Sequence, residues 1–248
     1  MNIIQHPSPN CNPRDGHSID MLVLHYTGMK SGANALDRMC DATAEVSAHY
    51  MVEEDGRIFQ LVNEEMRAWH AGLSYWRGHT NINQRSIGIE IVNPGHEFGY
   101  RGFPEMQMQS VIALCKDIVQ RRHIPARNVV AHSDVAPARK QDPGELFDWK
   151  RLAVEGVGLF PSPLEGEGRV GGGEAGGNIA NISFAATTPL PNPLPGGERE
   201  LAQFGYDTAD LPAAIAAFQR HFRPNLLNGQ WDAECKAALQ QMLAEFYV

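Results

Sequence analysis

The sequence contains no run of apolar residues approaching the about 20 that a membrane-spanning helix needs. Its amino-terminal segment, MNIIQHPSPNCNPRDG, has no basic start followed by an apolar run, so neither a signal peptide nor membrane insertion is expected. The four cysteines lie far apart and form no CxxC pair, which argues against a framework of disulfide bonds. These absences predict a cytoplasmic protein; a periplasmic one is the alternative if a leader peptide has been removed.

Basic residues are too few for general binding to nucleic acid. The chain has 21 Lys and Arg against 29 Asp and Glu, which gives a formal charge of −8. Binding to nucleic acid relies on basic patches that face phosphates, and the sequence has no block of basic residues interleaved with aromatic ones. Apolar residues make up 43% of the 248 positions, so one large domain or two smaller ones can bury a substantial core.

Residues 161–200 differ in composition from the rest of the chain. Glycine and proline supply 15 of these 40 positions, which favours a flexible linker over a folded core. The two ends, PSPLEGEGRVGG and TPLPNPLPGGERE, resemble the translated arms of an inserted palindromic genomic repeat. We therefore predict a tolerated insertion between two domains, with a proline-rich segment that binds a partner as the alternative.

Helical and strand patterns alternate over residues 1–160, which predicts an α/β domain with a mixed central sheet flanked by helices. Short apolar segments at 21–27 and 86–93 are typical of strands, and Asp55-Gly56 marks the turn of a hairpin. Two amphipathic helices follow the linker and predict a small helical module over residues 201–248, a length that is marginal for an independent core.

Four chemically reactive side chains stand at the ends of predicted strands or on the loops that follow. His25 closes one strand, Glu90 lies in another, His132 closes a third, and Asp142 follows on a loop stiffened by two prolines. Two imidazoles and one carboxylate suit Zn²⁺, and three protein ligands leave a fourth position for water, as in catalytic zinc sites. The spacing of His132 and Asp142 specifies no metal geometry by itself, so ordinary core or surface histidines remain an alternative.

The most specific signal is a series of motifs in a fixed order: VLHYTG, VSAHYMVEEDGRIFQLV, RAWHAG, NINQRSIGIEIVN and AHSDVAPARKQDPGELFDW. Together they resemble the type-2 N-acetylmuramoyl-L-alanine amidases, zinc enzymes related to the peptidoglycan recognition proteins. The resemblance covers roughly residues 2–161. It implies hydrolysis of the amide between N-acetylmuramic acid and L-alanine in peptidoglycan fragments, the muropeptides, including their 1,6-anhydro forms.

The resemblance also implies a role for each residue of the motifs. His25, His132 and Asp142 fall on the positions that bind zinc in the family. Glu90 falls on the catalytic acid and base, and Lys140 on the residue expected to stabilise the oxyanion. Without the resemblance, a strand carboxylate facing solvent and an exposed loop lysine are the better interpretations of Glu90 and Lys140. A complete set of zinc ligands favours an enzyme over a recognition protein that only binds peptidoglycan.

Three further residues are candidates for contact with the substrate. Trp69 and His70 lie in the motif AWHAG, near the substrate groove of the family, and Arg85 suits recognition of stem-peptide carboxylates. Ordinary packing or solvation is the alternative for each.

The segment after the linker resembles a small three-helix peptidoglycan-binding module. The motifs AFQRHFRP and NGQWDAE carry this resemblance. A helical cap over the first domain is the alternative for this module.

Overall fold

The computed structural model describes residues 1–162 and 197–244. In chain order the elements are β1 (Ile3–Gln5), β2 (Cys11–Pro13), β3 (Met21–Tyr26), α1 (Gly32–Cys40), β4 (Tyr50–Val52), β5 (Ile58–Gln60), β6 (Met66–Ala68), α2 (Ile82–Arg85), β7 (Ser86–Ile91), α3 (Gly95–Phe98), α4 (Glu105–Arg122), β8 (Val129–Ala131), α5 (His132–Val135), α6 (Trp149–Val154), α7 (Gly197–Phe204), α8 (Leu211–Phe222) and α9 (Ala233–Ala244). Within the described residues, no helix is both long and apolar enough to cross a membrane.

The linker predicted over residues 161–200 falls outside the described residues except at its two ends. Its last positions, from Gly197 onwards, belong to helix α7. Leu201 and Phe204 on this helix are buried, which explains why a helix begins inside a segment of linker-like composition. The C-terminal part therefore contains three described helices, of which the amphipathic pattern had predicted α8 and α9.

Six strands form the central sheet in the order β1-β5-β4-β7-β3-β8. The pair β4–β5 is antiparallel, as the predicted hairpin requires, and all other neighbours are parallel. Gly56 in the hairpin turn has a φ of +86°, a conformation that favours glycine. Strands β2 and β6 form a separate antiparallel pair. A mixed sheet flanked by helices confirms the predicted fold class.

One face of the sheet packs against helix α4. Strand β7 has the sequence SIGIEI, and alternate side chains of a strand point to opposite faces. The three isoleucines are fully buried in the same cluster as Val111 and Cys115 of α4. The alternate positions, Ser86, Gly88 and Glu90, therefore point to the opposite face. A strand that is apolar on one side and small or polar on the other leaves room for a functional site.

The opposite face of the sheet has two coverings. Beside β4 and β5, Met51 and Phe59 pack in a cluster with residues of α1. Beside β3 and β8, Met21, Val23 and Val130 belong to a cluster that continues into the C-terminal helices. The largest C-terminal members of this shared cluster are Leu201, Phe204, Tyr206, Ile215, Phe218, Phe222, Trp231, Leu239 and Met242. Helices α7 to α9 thus complete the core of the first domain.

Direct contacts join the C-terminal helices to the loop that follows β6. The backbone N–H of Arg77 donates to the carbonyl of Gly205 over 2.9 Å. The rings of Trp76 and Tyr206 meet edge to face with their centroids 5.1 Å apart. A Cβ on Gly205 would lie 2.7 Å from the Arg77 side chain, so this close approach requires glycine. The C-terminal helices and the first domain therefore pack against each other through specific contacts.

Truncation after residue 162 is expected to destabilise the remaining domain strongly. It would expose Met21, Val23 and Trp76, each of which is at most 1% exposed in the full chain. Exposing one large buried apolar side chain costs about 1.5–3 kcal/mol, against a total stability of about 5–15 kcal/mol for a typical protein. Thermal unfolding followed by circular dichroism should show a weakly cooperative transition at a lower temperature than that of the full chain, or no transition at all.

The control for this truncation replaces residues 163–196 by a Gly/Ser sequence of equal length. This variant keeps helices α7 to α9 connected and is expected to melt like the unaltered chain. A truncated protein that melts cooperatively at the parent temperature would show that the C-terminal helices are dispensable for the first domain.

Candidate active site

The register of three parallel strands brings the predicted site residues to one edge of the sheet. In the pair β3–β7, His25 lies opposite Glu90. In the pair β3–β8, Leu24 lies opposite Ala131, so His132 comes one position beyond the last paired residue of β8. Neighbouring strands lie about 4.8 Å apart, and the carboxyl ends of parallel strands are where open α/β sheets bind ligands.

His25, His132 and Asp142 converge on one point. The Nδ1 atoms of the two histidines are 2.9 Å apart, and Oδ2 of Asp142 lies 3.0 Å from the first and 2.9 Å from the second. All three residues are buried, with exposed fractions of 1%, 4% and 6%. Within the described residues, this trio is the group of His, Cys, Asp and Glu side chains whose geometry could hold a metal ion.

The hydrogen bonds of the Nε2 atoms of His25 and His132 determine whether the Nδ1 atoms, which face Asp142, carry a proton or a lone pair. Nε2 of His132 lies 3.1 Å from the carbonyl oxygen of Ala71, which can only accept, so Nε2 carries the proton. The hydroxyl of Ser86 donates to the carbonyl of Ile82 and therefore accepts from Nε2 of His70. Nδ1 of His70 is then an acceptor, and it takes the Nε2–H of His25 over 3.0 Å.

Both metal-facing nitrogens consequently carry lone pairs. Burial lowers the pKa of His25 to about 4, so this ring is neutral at neutral pH. Two lone pairs and an ionised carboxylate facing one point repel one another unless a cation lies between them. The donor set therefore fits a divalent metal ion.

The dipeptide His70–Ala71 supports both imidazoles at once, through the side chain of one residue and the carbonyl of the next. Oδ1 of Asn83 fixes it by accepting from the backbone N–H groups of His70 and Ala71, over 3.2 and 2.8 Å. Gly88 leaves space for the His70 ring, since a Cβ there would lie 2.5 Å from Cγ of His70. The motifs AWHAG and NINQRSIGIE thus combine to orient the two histidines of the candidate metal site.

Replacement of His70 by phenylalanine should weaken metal binding while preserving the shape of the core. The ring would still fill the space over Gly88, but Nε2 of His25 would lose its acceptor and the imidazole its fixed orientation. Loss of such an outer partner typically reduces metal affinity about 10–100-fold. Competition with a chelator of known affinity measures the change, and Ser86→Ala, one bond further out, should have a smaller effect. Equal affinities for all three proteins would contradict this role.

Glu90 and Lys140 line a pocket of about 400 Å³ that also contains His132 and Asp142. Oε2 of Glu90 is buried and has no hydrogen-bond partner within residues 1–162 and 197–244. Burial and the negative charge of Asp142 raise the pKa of Glu90 well above its ordinary value. The ammonium group of Lys140 makes no hydrogen bond or ion pair with the described part of the chain, and its positive charge acts on Glu90 and on His25.

The sequence matches, over residues 15–145, the family model described as N-acetylmuramoyl-L-alanine amidase. The matched range contains the three metal-site residues and both residues with free functional groups in the pocket. The chain belongs to the N-acetylmuramoyl-L-alanine amidase family. This finding confirms the family predicted from the motifs.

Three relatives illustrate the similarity. Escherichia coli N-acetylmuramoyl-L-alanine amidase AmiD is 38% identical, over 92% of this chain and 83% of AmiD. Its structure in complex with the substrate anhydro-N-acetylmuramic acid-L-Ala-D-gamma-Glu-L-Lys covers 95% of this chain and 91% of that one, with a TM-score of 0.73 and 39% identity. AmpDh3 from Pseudomonas aeruginosa, in complex with anhydromuramic pentapeptide, has a TM-score of 0.75 and 33% identity, with 92% of both chains covered. Escherichia coli 1,6-anhydro-N-acetylmuramyl-L-alanine amidase AmpD is 32% identical over 60% of this chain and 88% of AmpD.

The three residues predicted to contact substrate have different surroundings in the structure. His70 borders the pocket but is largely buried behind His25. The indole N–H of Trp69 donates to Asn12 over 2.8 Å. Arg85 precedes β7 at the end opposite the pocket, where it pairs with Asp20, so the geometry gives it a structural contact. Contact of Trp69, His70 and Arg85 with substrate stays a prediction.

Sequence reasoning missed Arg139 at this site. Its side chain borders the pocket, and its guanidinium donates to the carbonyls of Ala71 and Leu73. The same Ala71 carbonyl orients His132, so Arg139 helps to hold the segment that supports the metal ligands. The signal was present as the residue adjacent to Lys140, but nothing local in the sequence connects it with residues 71–73.

Proposed function

We propose that the protein is a zinc-dependent amidase that hydrolyses the bond between N-acetylmuramic acid and L-alanine in muropeptides, including 1,6-anhydro forms. The carrying observation is the convergence of His25, His132 and Asp142 beside the free functional groups of Glu90 and Lys140. The anhydro-muropeptides in the AmiD and AmpDh3 complexes support this class of substrate. The proposed physiological role is turnover and recycling of the cell wall.

Zinc is the metal that this donor set favours. Two imidazoles and one carboxylate suit it, and three protein ligands leave a coordination position for water or substrate. His25, His132 and Asp142 would hold the ion. When bound there, zinc supplies an activated water and polarises the carbonyl of the amide.

Glu90 is proposed to manage the protons of the reaction. Its carboxylate lies in the same pocket as the ligands and one of its oxygens has no partner among the described residues, so it is free to accept a proton from the attacking water. The same group can then deliver that proton to the nitrogen of L-alanine as the amide bond breaks.

Lys140 is proposed to hold the negative charge that develops on the carbonyl oxygen. Its ammonium group borders the pocket and is not engaged by another described side chain, so its charge can act on substrate. The backbone N–H of Lys140 donates to the carbonyl of Ala136 over 3.0 Å, and the N–H of Ser133 donates to the carbonyl of Asp142 over 3.0 Å. These bonds keep the loop in place relative to the metal ligands.

The decisive experiment incubates the purified protein with a defined anhydro-muropeptide and follows the products by mass spectrometry. Release of free stem peptide that stops with a zinc chelator and returns when zinc is added is the expected result. Intact substrate in the presence of stoichiometric zinc would reject the amidase activity and favour a protein that only binds peptidoglycan.

The cytoplasm is the compartment we propose, and the support is the redox chemistry of the chain. All four cysteines are free thiols, and Cys11 and Cys40 are partly exposed, which suits a reducing environment better than an oxidising one. Cell fractionation followed by immunoblotting tests this placement. Recovery in the periplasmic fraction would overturn it and shift the proposed substrate pool to wall fragments outside the inner membrane.

A further inference from the structure

Asp134 is a buried carboxylate in the short helix α5, two residues after His132. Its side chain is fully inaccessible to solvent. Oδ2 accepts the backbone N–H of Ala131 over 2.7 Å, which closes the first turn of α5. The preceding residue, Ser133, donates its N–H to the carbonyl of Asp142. The position of α5 therefore affects two metal ligands at once, one through the chain and the other through this hydrogen bond.

Two other donors to Asp134 come from the C-terminal part of the chain. Nδ1 of His221 on α8 lies 2.6 Å from Oδ2, and the hydroxyl of Tyr206 donates to Oδ1 over 2.6 Å. Both C-terminal residues are 1% exposed. A buried carboxylate is costly unless donors surround it, so Asp134 needs these two groups, and its contacts with them fix α5 relative to α8.

Helix α8 also contacts the loop that follows Asp142. The imidazole of His221 stacks on the indole of Trp149 with the ring centroids 3.7 Å apart. Its neighbour Arg220 lies 3.7 Å from a carboxylate oxygen of Glu145. One helical turn therefore touches both segments that carry metal ligands: α5 after His132, and the loop after Asp142.

We propose that the C-terminal part of the chain is a positioning element of the metal centre: His221 on helix α8 and Tyr206, which precedes that helix, hold Asp134 and thereby the ligand His132. This inference rests on the proposed metal site and gives the C-terminal helices a role in catalysis. The neighbouring AWHAG segment supports the imidazoles from one side, and α8 supports α5 and the Asp142 loop from the other. None of these C-terminal side chains touches the reacting atoms, so they act only through the ligands they position.

The test uses full-length protein with His221→Phe and Tyr206→Phe. The phenylalanine at 221 keeps the stacking on Trp149 but removes the N–H donor, and Tyr206→Phe removes only the hydroxyl. Each is expected to lower zinc affinity about tenfold, the lower end of the effect of outer partners of a metal site. Competition with a chelator measures this, and the visible absorption of the Co²⁺-substituted proteins should change because the ligand geometry loosens.

Two further variants separate positioning from general destabilisation. His221→Asn restores a side-chain N–H close to the position of Nδ1 and should recover part of the affinity. Gln219→Leu is the matched control: Gln219 is fully buried on the same helix, but the partners of its side chain, Asn228, Gly229, Gln230 and Cys235, all lie within the C-terminal part. It should lower the melting temperature without changing zinc affinity or the Co²⁺ spectrum.

Unchanged affinity and spectra for both phenylalanine variants, or changes no larger than those of Gln219→Leu, would overturn the proposal. The parent protein is tested first for zinc stoichiometry and for cleavage of an anhydro-muropeptide. A parent that binds zinc but does not cleave would reject the proposed function and still allow the positioning role to be measured, so the two failures are distinguishable.

Discussion

Replacement of His132 by alanine should abolish both metal binding and hydrolysis of the amide. The variant keeps only His25 and Asp142 as ligands, and two ligands do not hold a catalytic metal ion in a fixed position. A bound metal ion contributes several kcal/mol to stabilisation of the transition state. At about 1.4 kcal/mol per factor of ten, its loss corresponds to a fall in rate of about 10³-fold or more. Elemental analysis gives zinc per chain, and mass spectrometry of the products gives turnover.

The matched control for this variant is His17→Ala, because His17 is exposed and lies outside the site. It should retain one zinc ion per chain and parental activity. Retention of one tightly bound zinc in His132→Ala, with normal turnover, would show that the metal is held elsewhere. The circular dichroism spectrum of His132→Ala should match that of the parent protein, which shows that the loss of zinc is not caused by unfolding.

Replacement of Glu90 by glutamine is expected to separate metal binding from catalysis. Glutamine has nearly the same size and keeps the strand β7 intact, but its side-chain amide cannot accept and return the proton of the attacking water. General acid and base catalysis typically contributes about 10²–10⁴-fold to rate. We therefore expect a loss of this order in kcat, with zinc stoichiometry and melting temperature close to those of the parent.

The comparison variant for Glu90 is Glu155→Gln, which removes a carboxylate from an exposed ion pair with Lys116. An exposed pair of this kind contributes at most about 1 kcal/mol to stability, and its loss should leave turnover unchanged. Near-parental kcat in Glu90→Gln would remove Glu90 from the mechanism and leave the proton transfer to another group in the pocket.

The candidate metal ligands could be recognised in the sequence because each lies in a short local motif. His25, His132 and Asp142 stand in LHYT, AHSD and KQDPG, and the chemistry of two imidazoles with one carboxylate points to a metal without knowledge of the fold. The alternation in SIGIEI likewise indicates a strand with one apolar face and one face of small or polar residues. The position of Glu90 on the second face follows from this period of two.

The supporting contacts could not be predicted because they join residues that are distant along the chain. His70 and His25 are separated by 45 positions, and His221 and Asp134 by 87. No local pattern specifies that the imidazole of His70 in AWHAG accepts a hydrogen bond from His25. Nor does a local pattern specify that the His70 ring needs a glycine at position 88 to leave it space. For Arg85 the sequence suggested a substrate carboxylate as partner, and it could not predict that the side chain, at the amino end of β7, pairs with Asp20.

The sequence by itself determined the family and the mixed α/β fold, and it predicted the candidate metal trio and the two residues expected to perform catalysis, because these depend on residue types at short spacings. Only the tertiary structure decided where the C-terminal helices lie. Their amphipathic pattern is equally compatible with an independent binding module and with a cap, since it records that a face is buried and not what covers it. Their position depends on many weak apolar contacts with Met21, Val23 and Val130, and on a buried carboxylate at Asp134 that accepts from Tyr206 and His221 of the C-terminal part.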